Sequence, residues 1–156
     1  MGTVATGCDK KSSDEKPKEE PSTQQASEEP GGSTDQSRSG WTENETYYLE
    51  AVPEPNPIPF QKLFELNIRV LTSEKSEKTA EGVSLDQVQA IMPAHDHGMK
   101  TAPEVTEKSP GEFVVRGMKF HMQGKDEDGL WVVKIVVNGD DGIDEANFEY
   151  QCCTSR

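Results

Sequence analysis

"LWVVKIVVNGDDGIDEANFEYQC", residues 130–152, is the stretch that decides the fold. Trp131, Val133, Ile135 and Val137 share one parity, with Lys134 on the other. After a break, Ala146, Phe148, Tyr150 and Cys152 alternate with Asn147, Glu149 and Gln151. Period two sends successive side chains to opposite faces of a strand, whereas a helical face repeats at about 3.6 residues. The break itself, "NGDDG" at 138–142, is built of turn residues and predicts a hairpin joining the last two strands.

Outward from that hairpin the same pattern recurs. "FELNIRVL" sets Phe64, Leu66, Ile68 and Val70 against Glu65, Asn67 and Arg69. "TYYLEAV", "VSLDQVQAIM", "GEFVV" and "GMKFHM" alternate less cleanly and are further strand candidates. "VPEPNPIPF" suits an extended edge or crossover segment, because proline cannot donate to a ladder. "SPGE" and "KDEDG" read as loops, and no window carries a helical period. The expectation is an all-β fold, an antiparallel β-sandwich of immunoglobulin-like size with about seven strands, spanning 41–156 and starting near Trp41. The Cys–Trp–Cys core of true immunoglobulin domains is missing.

Upstream the composition changes. Residues 9–40 contain no Val, Ile, Leu, Met, Phe, Trp or Tyr, so they offer too little apolar surface to offset ordering and read as a disordered polar linker. Just before the linker stands "VATGC", ending at Cys8; small residues leading to a cysteine and then a charged spacer suggest a bacterial lipobox. Residues 1–8 would then be a truncated lipoprotein signal, since neither a basic nor an apolar region precedes the cysteine. "MGTVAT" also fits an N-myristoylation pattern, with Cys8 as a palmitoylation candidate. The lipoprotein reading, with membrane attachment by a lipid anchor only, is preferred because of the long tether.

The net charge of -13 argues against nucleic acid as a partner, because binding phosphate requires Lys and Arg to neutralise it. No recognised Ser/His/Asp or Cys/His signature and no Gly-rich phosphate loop is present, so a non-catalytic protein is expected. Three cysteines cannot all pair within the chain, and a bridge between the adjacent Cys152 and Cys153 would be strained.

Chemistry concentrates in "MPAHDHGM", residues 92–99, and "GMKFHMQG", residues 117–124. These hold all three histidines and four of the five methionines. Pro93 and Gly98 place the first segment on a strand-end loop, where an extended backbone would aim His95, His97 and Met99 the same way. Imidazole with thioether is a ligand set suited to copper and foreign to calcium or magnesium. Zinc is the weaker choice, because structural zinc wants four Cys or His ligands and no CxxC pair exists. The same residues also read as plain structure: Met118, Phe120 and Met122 as one core face, His121 outward, and His95 and His97 bonded to loop carbonyls.

These segments, with "TAPEV" (101–105), "GEFVVRGMKFHMQG" (111–124) and "LWVVKIVV" (130–137), resemble the YtkA-like family of bacterial envelope proteins. The resemblance covers roughly residues 45–150. It implies a small sandwich domain on a lipoprotein-type N-terminus, and copper handling in the periplasm-facing envelope. Carried over by position, it implies His95, His97 and Met99 as ligands, with His121, Met122 and Met92 behind them and Cys8 lipidated. Asp96 stands where a small residue is expected; its carboxylate would orient an imidazole or offer an oxygen to copper(II). A thiolate contribution from Cys152 or Cys153 is a further possibility if the last strand runs near the loop. The implied partner is an envelope protein that gives or takes metal; the alternative is a metal-free interaction module.

Overall fold

The computed structural model describes residues 35–153, together with Gly2 and Thr3. The lipobox, Cys8 and most of the 9–40 linker lie outside the described residues. The described chain is all-β: β1 (Arg38–Trp41), β2 (Tyr48–Glu54), β3 (Phe64–Leu71), β4 (Ser84–Met92), β5 (His97–Gly98), β6 (Glu104–Ser109), β7 (Glu112–Met118), β8 (Leu130–Gly139) and β9 (Gly142–Gln151). They form two antiparallel sheets, ordered β1-β2-β3-β7-β6 and β5-β4-β8-β9, which is the expected sandwich. Beyond the expected strands there are the four-residue β1, the two-residue β5 and the charged β6, "EVTEKS". None of these three alternates apolar with polar strongly enough to be read as a strand.

The deciding hairpin forms in the anticipated register. β8 and β9 pair from Leu130↔Gln151 to Gly139↔Gly142, leaving Asp140 and Asp141 as the connection. Gly142 takes φ +114, a conformation that side chains with a Cβ rarely adopt. The parities hold: Trp131, Val133, Ile135 and Val137 are buried, as are Ala146, Phe148, Tyr150 and Cys152. They meet Leu66, Ile68 and Val70 of β3 and Leu49 and Ala51 of β2 in one core between the sheets. Burial of this apolar surface drives the fold.

Three local readings are corrected. β7 stops at Met118, so "GMKFHM" is not a strand: Gly117, at φ +78, lies where the β3–β7 register shifts, Met118 makes the last pair, and residues 119–124 run without regular structure. β4 carries a register shift between Leu85 and Gln87, which puts buried Leu85 and Val88 three apart and blurs the alternation of "VSLDQVQAIM". Cys152 and Cys153 are joined by a disulfide, although the sequence disfavoured it. Both residues lie past the end of β9, free of the strand geometry that would send their side chains to opposite faces.

Pro53 sits within β2 but beyond Ala51, where β1 ceases to pair, so its missing N–H disrupts no β1 partner. At this same end of the sandwich, the β4–β5 hairpin and the 119–129 segment come together to build the site.

Candidate metal centre

"MPAHDHGM" folds as a tight reversal. Pro93–His95 form one 3-10 turn, and Pro93 is well suited to its start because its fixed φ matches and its missing N–H would be unpaired there. Asp96 closes the turn at φ 49, ψ 44, a left-handed conformation that Asp tolerates better than most residues. The chain then runs back as β5, pairing Met92↔His97 and Ile91↔Gly98, with the Met99 N–H donating to the Ala90 carbonyl at 3.2 Å. Gly98 owes its place to close approach, since a Cβ there would stand 3.2 Å from the Ala90 carbonyl oxygen. Its φ is not positive, so the position draws on the missing Cβ and not on a left-handed backbone.

The segment is therefore not extended throughout, and strand parity does not aim His95, His97 and Met99 together. The turn brings the histidines close by another route: the His95 and His97 rings lie 5.8 Å apart, centre to centre. His121, from the irregular segment after β7, brings its ring to 5.5 Å from His97. His97 thus has two other imidazoles close by, His95 at 5.8 Å and His121 at 5.5 Å. His97 Nε2 lies 2.8 Å from the Met122 sulfur. The Met99 sulfur accepts the Lys119 backbone N–H at 3.4 Å, which ties the first segment to the start of the second. His95 is exposed, and its Nε2 reaches the Asp128 carbonyl at 3.3 Å.

The imidazole nitrogens give the cluster its chemistry. A thioether can only accept, so the nitrogen facing Met122 carries the proton when that hydrogen bond is made, and His97 Nδ1 is then a bare lone pair. Among the described residues that Nδ1 is buried and meets no donor, and His121 Nδ1 is likewise buried and unpaired. Buried polar atoms usually find partners, so two orphaned nitrogens in adjacent rings call for an explanation. The His121 pKa is lowered, first by burial and then by the charges of Lys100, His97 and Lys119, which keeps its ring neutral and able to coordinate.

Of the residues expected at the site, His97, His121 and Met122 are brought together, with His95 and Met99 at the margins. Met92 is corrected: it is fully buried in the sandwich core, on the inner side of β4 opposite His97. Asp96 is exposed and holds no imidazole among the described residues; its role is the backbone turn. Met118 and Phe120 are core, as the plain structural reading has it, but Met122 is only half-buried and turns to His97. Among the described residues no three His, Cys, Asp or Glu side chains are drawn together as a metal set, so the thioethers are needed to complete one.

Two contributors were not legible in the sequence. The Asp126–Gly129 turn supplies the carbonyl that takes His95, and Trp131 donates its indole N–H to the Met122 carbonyl at 3.0 Å. Period two placed Trp131 in the core, but no spacing rule linked it to a loop nine residues earlier.

No protein-family model, no curated protein and no solved structure matches this chain.

Proposed function

We propose that this chain is a non-catalytic copper-binding protein of the bacterial cell envelope, in keeping with its resemblance to the YtkA-like family. Cys8 would carry the lipid that anchors it, with the sandwich displayed on the tether facing the periplasm. The observation that carries the metal reading is the convergence of His97, His121 and Met122 from two separate segments, with the Nδ1 atoms of both histidines buried and unpaired among the described residues. Neutral imidazole with thioether favours copper over hard cations, and thioether over thiol suits an oxidising compartment.

His97 and Met122 would hold the ion, with His121 as third ligand and His95 or Met99 completing the set. A metal about 2 Å from nitrogen and about 2.3 Å from sulfur needs those ligands about 3.5 Å apart. The nitrogen that faces the sulfur is His97 Nε2, so its proton would pass to Nδ1 as metal enters and the observed 2.8 Å would open. Because the site lies at the end of the sandwich with one histidine exposed, the chemistry suits buffering or delivery to an envelope partner.

The second reading, a metal-free interaction module, draws on the His95 contact with the Asp128 carbonyl and on the burial of Met92 and Met118. A copper(I) competition titration of the full chain against a chromophoric chelator separates the two. Stoichiometric binding that is lost in His95→Ala/His97→Ala and kept in Cys152→Ser/Cys153→Ser supports the copper site. Failure of the wild type to compete removes it and leaves the interaction module.

A further inference from the structure

The loop that carries His121 and Met122 has no strand ladder to hold it, yet its three central residues all meet one side chain. Phe120 stacks on the Trp131 ring at 4.7 Å and 8° between planes. His121 meets the same ring edge-on at 5.5 Å. The Met122 carbonyl accepts the Trp131 indole N–H at 3.0 Å. Trp131 itself is fully buried and sits near the start of β8, where it pairs with Tyr150 of β9.

We infer that Trp131 is the positioning residue of the metal site: its indole N–H and ring edge hold His121 and Met122 at the distance and angle at which they meet His97. The inference rests on the copper-binding reading above. The physical ground is that a ligand loop without secondary structure samples many conformers, and each fixed contact removes some of them before metal arrives. A hydrogen bond to the Met122 main chain fixes the residue while leaving its sulfur free to turn to His97. Phe120 anchors the loop apolarly, so the N–H and the His121 contact are what Trp131 adds beyond packing.

The test is a double-mutant cycle on the full chain, read by copper(I) competition, with Trp131→Phe, Met122→Ala and both together. Phenylalanine keeps a ring for Phe120 to stack on but removes the N–H. Trp131→Phe is expected to weaken copper(I) binding on the order of tenfold, as loss of a ligand-orienting partner does. Its effect is expected to shrink once Met122 is already alanine, because part of it acts through that ligand. Losses that add fully, or a Trp131→Phe protein binding as the wild type does, overturn the inference while the copper reading stands. No binding by the wild type overturns both.

Should Trp131→Phe fail to fold, the wild type still decides by NMR. Copper(I) is expected to slow hydrogen exchange at the Trp131 indole N–H and to leave that of Trp41 unchanged. Binding without any change at the Trp131 indole overturns the inference.

Discussion

His97 Nε2 and the Met122 sulfur stand 2.8 Å apart across 25 positions of sequence, one on a two-residue strand and the other on an irregular loop. If this pair is the heart of the site, His97→Ala and Met122→Ala each lower copper(I) affinity by more than about tenfold, the loss typical of a mere supporting partner. Met92→Leu, a volume-conserving change in the core, costs less than about 1.5 kcal/mol of stability and leaves affinity alone. Chelator competition alongside thermal melts checks all three. Wild-type affinity in Met122→Ala would remove the thioether from the site.

Binding of copper to the folded chain alone stabilises it by mass action, by about 2.7 kcal/mol at a free metal concentration 100 times Kd. Thermal melts of the full chain with buffered copper(I) are therefore expected to shift upward by several degrees, and those of His95→Ala/His97→Ala to stay where they are. An equal shift in both proteins would locate the metal elsewhere.

The close approach at Gly98 gives a backbone test of the same site. A methyl group there stands 3.2 Å from the Ala90 carbonyl oxygen, tighter than ordinary contact, so Gly98→Ala pushes β5 off β4 and carries His97 with it. The expected cost is about 1 kcal/mol of stability, within the usual range for overpacking, together with a measurable loss of copper(I) affinity. Gly142→Ala, strained by its φ of +114 but at the far end of β9, is the control that lowers stability and spares affinity. Equal affinity in the two variants would detach β5 from the site.

The sandwich was legible because Phe64, Ile68, Trp131, Ile135, Phe148 and Tyr150 all sit on clean alternations, and a one-residue slip would have exposed every one of them. Where the pattern misled, a local backbone event had interrupted it, as with the register shifts at Leu85/Gln87 and beside the positive-φ Gly117, one residue before β7 ends. The residues of the site were legible as chemistry, since histidine and methionine are scarce elsewhere in the chain. Their arrangement was not. His95 reaches His97 through a 3-10 turn and not through the strand parity its spacing suggests, and Met122 reaches it across 25 positions, a separation that carries no period.

At the opposite end from the metal cluster, Asp144 of β9 ties the two sheets together. It is buried, and its carboxylate accepts the Asn44 and Thr46 backbone N–H groups at 3.0 and 3.3 Å, the Asn44 amide at 2.8 Å and the Glu145 N–H at 2.9 Å. Asn44 and Thr46 lie in the turn between β1 and β2, so one side chain of the four-stranded sheet staples the hairpin of the other. Burial by itself would raise the Asp144 pKa, but hydrogen bonding from Thr42, Glu145, Asn44 and Thr46 outweighs it and holds the carboxyl well below the usual range. A pKa depressed by folding means that the unfolded chain binds the proton more readily. The stability Asp144 contributes is therefore complete above the unfolded carboxyl value of about 3.9, and is lost as pH falls from there through the folded value. Asp144→Asn keeps the shape but turns one acceptor into a donor facing donors, at an expected cost of about 1–3 kcal/mol near neutral pH. In urea melts the gap between wild type and variant is expected to be widest at about pH 7 and to narrow toward about pH 3. A gap that stays constant over that range would show that the carboxylate charge contributes nothing, and that the staple holds by shape alone.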